Sequence, residues 1–460
     1  MSHLAGGCAV PALVLTIQIF LEGQWHDAAE LTIEQPRLGR SGPVRLGYEF
    51  DYALKYQYRD DEHACGLTLP VELMIPHDAA TWFGFLDDIM PAGAARRYWV
   101  NLLGLSHATP QMQDTELLHH GTIAPVGNLR IKESLPELPA NSTLKQRRFA
   151  IEEVVERNTD FLEYAQQMGA ASGGATGAGG EAPKLLLRCS DKGEVWIDTF
   201  QDDVHTPDTH YLVKFPRNNR GAIDCDILHT EYHYYHELHS LGISTISTAG
   251  MKLLEGEHFP SLWLPRFDVA MHEGKLVRYG LESVYSVLNK APGSYLKHQE
   301  VLRRLVKLLE HQYRVAEMKE GFDRQAFVTE WVKRDLLNVA FGNSDNHGRN
   351  TALLKTSEGI WLAPVYDFAP MKADPEMVPR STSWGSPLEE GGQYNWQAIA
   401  AELVDLAEPE HILKELKALA GKLVGLKQRL QARGVPERIL NMPVMGFDYL
   451  DDKLKNWGLV

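Results

Sequence analysis

Cysteine is scarce, with four in 460 residues: Cys8, Cys65, Cys189 and Cys225, none of them spaced as Cys-x-x-Cys. That usage argues against a disulfide framework and against a thiolate zinc site, and it fits a reducing cytoplasm. No run of eighteen apolar residues occurs, so no membrane span is expected. The apolar patch from Ala9 to Leu15 lacks a basic lead-in and a cleavage site, so it does not read as a signal peptide. Positive charge is also short: 46 Lys and Arg face 61 Asp and Glu, a formal net charge of −15. A chain this acidic is not an obvious non-specific nucleic-acid binder, and any DNA contact would run through a basic partner. The basic cluster Arg303, Arg304 and Lys307 reads as a solvated helix face. No internal repeat is evident.

The length allows two or three sub-domains with cores of their own. Alternating apolar residues predict strands over 14–21, 28–33 and 44–50. Residues 81–104 read as helical with a break at Pro91-Ala92-Gly93. Strand patterns return over 185–189, 195–199 and 211–215, a helix follows over 229–241, and two more strands over 247–254 and 261–267. Helices are expected over 298–318, 323–341, 396–406 and 409–432. The expected class is α+β in two lobes, a β-rich N-terminal half leading into a mostly helical C-terminal half.

Gly342-Asn343-Ser344-Asp345-Asn346-His347-Gly348-Arg349-Asn350 lies between a helical run and the apolar strand 351–355. A second strand, 360–365, then delivers Tyr366-Asp367-Phe368. An aspartate, an asparagine five positions later and a second aspartate beyond a hairpin form a phosphoryl-transfer set in the order that protein kinases use. Asp345 can orient an attacking hydroxyl and accept its proton. Asn350 and Asp367 can offer hard oxygens to Mg²⁺. A polar loop shaped by Asx turns is the bland alternative. Lys214 sits mid-strand in Tyr211-Leu212-Val213-Lys214-Phe215, where a lysine needs a partner. It can hold nucleotide phosphates, with Glu231 on the following helix as its ion-pair partner or simply as a charge near that helix's start. The stretch 169–180 is nearly all Gly, Ala, Ser and Thr. It reads as a flexible loop or a phosphate-cradling one, and it lacks the Gly-Lys-Ser/Thr of a Walker loop. His229, His233, His236 and His239 fall on one predicted helix. Two of them four apart could hold a metal, but the His-Glu-x-x-His order of a metal hydrolase is absent.

The loop from Gly342 to Asn350, with Tyr366-Asp367-Phe368 after it, resembles the HipA family, the serine/threonine kinase toxins of bacterial toxin–antitoxin systems. Further segments carry the likeness. Gly179-Gly180-Glu181-Ala182-Pro183-Lys184 is similar to the family's glycine-rich loop, and the strand holding Lys214 to its nucleotide lysine. Thr230-Glu231 resembles its Asn-Glu position, Leu262-Trp263-Leu264-Pro265-Arg266-Phe267-Asp268 its adenine hinge, and Phe85 to Gly93 a helix that ends in Leu-Pro-Asp-Gly. Gly177 stands where the family often has an autophosphorylated serine; Ser172 and Thr176 are close but out of register. The resemblance implies three parts: a β-rich sub-domain over 1–145, a kinase N-lobe over 146–265 and a helical C-lobe over 266–460. It implies ATP and Mg²⁺ as cofactors. Asp345, His347 and Asn350 would be catalytic, and Lys184, Lys214, Glu231, Arg266, Phe267, Gly179 and Gly180 would contact nucleotide. Asn350 and Asp367 would bind the metal. Arg349 stands at a position where it could balance phosphate charge. The implied partners are a protein substrate, such as an aminoacyl-tRNA synthetase or another translation factor, and a helix-turn-helix antitoxin through which alone DNA would be met. A small-molecule kinase and a non-catalytic nucleotide-binding or antitoxin module are the competing readings.

Overall fold

The computed structural model describes residues 11–139, 142–168, 183–315 and 321–460. Cys8, Ser172, Thr176, Gly179 and Gly180 lie outside these. Alternation along the N-terminal segment makes a hairpin of β1 (Leu13–Leu21) and β2 (Gln24–Ile33), paired from Leu13↔Ile33 to Leu21↔Gln24. Its two-residue turn places Glu22 and Gly23 at φ 53° and 84°, the primed geometry that matches strand twist. β3 (Val44–Tyr48), β4 (His77–Ala79) and β5 (Leu129–Ile131) complete an antiparallel sheet in the order β4-β3-β2-β1-β5. Leu15, Ile17, Ile19, Leu31, Ile33 and Leu46 are buried on one side of it against Trp82, Phe85 and Leu117.

The second sheet has the order β10-β11-β9-β7-β8-β6 and is antiparallel throughout. Its strands are β6 (Phe149–Ala150), β7 (Lys184–Cys189), β8 (Glu194–Trp196), β9 (Thr209–Lys214), β10 (Lys252–Glu255) and β11 (Pro260–Pro265). The helix Ala222–Ser240 packs on β11. Beyond it the chain turns mainly helical around a large core that includes Leu302, Leu305, Val328, Leu336 and Leu416. The long helix Arg324–Ala340 ends just before Gly342. The strands Gly280–Ser283, Ala352–Lys355 and Ile360–Leu362 form a small sheet that carries the chain from Asn350 to Tyr366. The expected two-lobed α+β, kinase-like fold is what the structure shows. No described helix is long and apolar enough to cross a membrane.

Several expected elements differ in extent. The helix expected over 229–241 starts already at Ala222, because Asp224 caps it by accepting the Gly221 amide at 2.8 Å. The strand expected over 247–254 covers only Lys252–Glu255. The helical run expected over 409–432 breaks at Gly425, whose φ of 73° is left-handed, into Pro409–Leu423 and Leu426–Arg433. The break expected at Pro91 does separate the helices Gly84–Ile89 and Gly93–Leu102.

Candidate active site

Sheet register sets the site's electrostatics. Lys184 on β7 lies directly opposite Lys214 on β9, and both side chains are buried. Like charges facing each other across strands repel, so anions must meet them. Glu231, more than two turns into the Ala222–Ser240 helix, approaches Lys214 Nζ to 2.6 Å. Asp367 takes both lysines: its Oδ1 is 2.5 Å from Lys214 Nζ and its Oδ2 is 3.4 Å from Lys184 Nζ. Burial alone would raise the Asp367 carboxyl, but Lys184 and Lys214 hold it well below the usual carboxylate range. Burial pulls Lys184 down, whereas Asp367 and Glu231 outweigh burial at Lys214 and push it up. Asp367 adopts φ 50°, a conformation rare outside glycine and asparagine-like residues and typical of strained functional positions.

Tyr235 was not foreseen as part of this group. Its hydroxyl donates to Glu231 Oε1 at 3.0 Å and accepts the Phe368 amide at 3.3 Å. It therefore ties the helix to the backbone just after Asp367. Its place four residues after Glu231, on the same helix face, was the available signal. Tyr235→Phe is expected to lower stability by about 1 kcal/mol in urea unfolding, the typical worth of a buried hydrogen bond. An unchanged unfolding midpoint would show that the bridge holds nothing.

The loop after the Arg324–Ala340 helix is fixed largely by its own backbone. Asp345 donates its amide to Asn343 Oδ1 at 3.2 Å, and its carbonyl accepts from Asn350 Nδ2 at 2.7 Å. That bond uses an Nδ2 hydrogen of Asn350, whose Oδ1 is an acceptor. His347 Nε2 stands 3.4 Å from Asp345 Oδ1. Asn346 pins the neighbouring segment by donating to the Thr382 carbonyl at 2.6 Å. Gly348 passes so close to Tyr285 that a Cβ would sit 2.7 Å from its ring. Tyr366 OH donates to the Arg349 carbonyl at 2.5 Å, joining the Asp367 segment to the residue before Asn350. Arg349 itself reaches the Asp87 carbonyl at 3.3 Å and so links this loop to the N-terminal sub-domain. Beside it Asp88, whose carboxyl burial pushes up to about 7, accepts Ser283 N–H and O–H at 2.7 and 2.6 Å.

Lys214 and Asp367 form the boundary of two hollows. On one side the walls are polar and include Lys184, Glu231, Asp345 and Arg217. On the other they are apolar and include Leu212, Ile246, Leu264, Phe267 and Leu281. Charge next to an apolar slot suits a ligand with an anionic tail and a flat, weakly polar ring. Arg266 also lines the apolar hollow, but its amide donates to the His210 carbonyl at 2.9 Å and its guanidinium pairs with Asp268. Phe267 packs against Tyr366 with ring centroids 5.4 Å apart. Arg217, also unforeseen, pairs with Asp374 and Glu376 at 3.2 and 2.9 Å and ties the strand-rich lobe to the segment after Asp367.

The polar hollow that Asp367 lines also presents the carboxylates of Asp345 and Glu231, hard oxygens of the kind a small divalent cation takes while keeping sites for water and phosphate, whereas Asn350 is not among its lining residues. Among the described residues no three His, Cys, Asp or Glu side chains converge as a metal cluster. His229 is instead engaged with Glu255 at 2.7 Å.

Comparison with known proteins adds a family and a fold. The family model described as "HipA-like C-terminal domain" matches residues 176–424. The HipA chain from a Shewanella oneidensis MR-1 toxin–antitoxin complex of HipA, HipB and operator DNA superposes with a TM-score of 0.59 at 14% identity, covering 96% of this chain and 97% of that one. The Helicobacter pylori proinflammatory kinase CtkA gives a TM-score of 0.37 at 13% identity, covering 61% of this chain and 91% of that one. No curated protein matches the chain.

Proposed function

Since the chain belongs to the HipA family, we propose that it is an ATP- and Mg²⁺-dependent serine/threonine protein kinase, the toxin of a toxin–antitoxin pair. The observation that carries this reading is the meeting of Lys184, Lys214, Glu231, Asp345 and Asp367 around one polar hollow that borders an apolar one. In the proposed reaction the apolar hollow takes adenine beside Phe267 and the Arg266 backbone. Lys214, oriented by Glu231, lies along the phosphates, and Lys184 adds a second cation. Asp345 accepts a hydrogen bond from the substrate hydroxyl and aligns it for in-line attack. As the new oxygen–phosphorus bond forms and the bond to the leaving ADP breaks, Asp345 takes the hydroxyl proton. His347 sits within reach of the same carboxylate and steadies its orientation. Mg²⁺ would be held by Asn350 and Asp367, and when bound would neutralise phosphate charge. Ion binding at Asp367 requires Lys184 and Lys214 to turn from the carboxylate towards the phosphates. Gly179 and Gly180 belong to the proposed phosphate loop.

The substrate is proposed to be a component of translation, such as an aminoacyl-tRNA synthetase. The Shewanella protein is found with HipB and operator DNA. A helix-turn-helix antitoxin is therefore the proposed partner here, with DNA reached only through it, as the acidic charge favours. The test is γ-labelled ATP with the purified protein and a cell lysate, beside an Asp345→Ala control. A labelled protein band that vanishes in the control is expected. A labelled small molecule would replace the reading with a small-molecule kinase, and no transfer at all would leave a nucleotide-binding role.

A further inference from the structure

A larger hollow, of about 370 Å³, adjoins the candidate active site at Lys184 and Phe215, and neither Asp345 nor Asp367 lines it. That volume is in the range of small-molecule sites. Two helices wall it. The helix Gly93–Leu102, whose Trp99 belongs to the core of the N-terminal sub-domain, presents Ala94, Ala95 and Tyr98. The helix Thr159–Gln167, whose Phe161 and Tyr164 belong to the core of the second sheet, presents Leu162 and Ala165. Spacings of three and four keep each set on one helix face. Alanines there leave room that larger side chains would fill, and Leu162 stays 37% exposed at the wall. Such walls suit an apolar body.

The polar groups decide what head that body carries. Tyr98 OH and Arg157 Nη1 are both buried without a hydrogen-bond partner, and both residues line this hollow. Buried polar atoms normally have partners, and leaving them bare is costly. Burial pushes the Tyr98 phenol up, so it keeps its proton and stands as a donor. Arg157 has only donors. Among the described residues no carboxylate pairs with Arg157. Burial and the neighbouring Arg220 hold its guanidinium below its ordinary range, as for a cation that meets another cation and no anion. Arg220 itself lies over the Phe259 ring, whereas Arg157 lies over Phe215, 5.1 Å from the ring centroid. Water would satisfy the two donors but would leave the charge unmatched and the apolar walls wet. A carboxylate offers two acceptor oxygens and one negative charge to the same pair.

We propose that this hollow binds a small monocarboxylate with an apolar body, its carboxylate on Arg157 and Tyr98 and its hydrocarbon between the two helices. The inference stands whether or not the kinase reading does. It is tested on the full chain by calorimetric titration with octanoate, octanol and octylammonium, which share one body and differ in head group. Octanoate is expected to bind at one site, about tenfold to a hundredfold tighter than octanol. Non-specific uptake would favour octylammonium instead, because the chain carries a net charge of −15. Arg157→Gln is expected to remove the preference for octanoate over octanol, and Ala94→Phe to block both by filling the hollow. A crystal structure with octanoate needs no variant, and it is expected to place the carboxylate against Arg157 Nη1 and Tyr98 OH. Octanoate bound no tighter than octanol, or seated elsewhere in that crystal, overturns the proposal.

Discussion

Asp367→Ala is expected to abolish phosphoryl transfer and also to lower the stability of the protein by about 3–5 kcal/mol, the range for stripping one partner from a buried ion pair. The second effect follows from strand register. Lys184 and Lys214 face each other across β7 and β9, and Asp367 is a carboxylate that touches both buried ammonium groups. Because the Asp367 side chain keeps 22% exposure, the lower end of that range is expected. The variant's relief is to release a proton from Lys184, which burial already holds below its ordinary range. Its stability should therefore recover somewhat as pH rises through the lysine's lowered pKa. At the acid end the sign reverses. The folded Asp367 carboxyl binds its proton less readily than an unfolded one, whose pKa is about 3.9. Its contribution is fully present above that pH and fades as pH falls towards the depressed folded value. Urea unfolding of wild type and variant should thus differ most near neutral pH and converge below about pH 4. Equal unfolding midpoints at neutral pH would show that Asp367 bears no structural charge.

That double role was only half legible in the sequence. An aspartate and asparagine five apart, followed by Asp367 at a strand end, pointed to a candidate site, because phosphoryl transfer uses a hydroxyl-orienting carboxylate and hard oxygens for a metal. Lys214 stood out because a lysine among apolar strand residues must have a partner. The β7–β9 register that sets Lys184 against Lys214 is a pairing between distant strands, and no local periodicity reports it; only the family likeness pointed to Lys184. The same holds where the N-terminal sub-domain meets the rest. Leu67 donates its amide to Glu282 at 2.8 Å and Ser283 to Asp88 at 2.7 Å, contacts made across more than half the first three hundred residues. Short helices such as Phe50–Tyr56 and Pro110–His120 escaped for another reason: their polar and apolar residues are mixed, and packing rather than propensity holds them. The two-lobed fold was readable because it rests on long runs of pattern, and the family because its likeness sits in short motifs such as Gly342 to Asn350.

Asp345→Asn separates chemistry from stability in the same hollow. Transfer is expected to fall by about 10²–10⁴-fold, the worth of a positioned general base, while stability stays within about 0.5 kcal/mol. The contrast with Asp367 has a structural cause. Asp345 is placed by its main chain, through Asn343 Oδ1 on its amide and Asn350 Nδ2 on its carbonyl, and its carboxylate has His347 beside it at 3.4 Å. Asparagine keeps that shape and those backbone bonds, but its amide cannot take a proton from the attacking hydroxyl. Initial rates with γ-labelled ATP, set beside urea unfolding of the same preparations, check both halves. Full turnover would remove Asp345 from the reaction. Lost turnover accompanied by lost stability would mean that the carboxylate holds the loop, and the backbone bonds do not suffice. Intact stability with lost transfer would instead leave one acid in the hollow that balances charge and another whose work is confined to the moving proton.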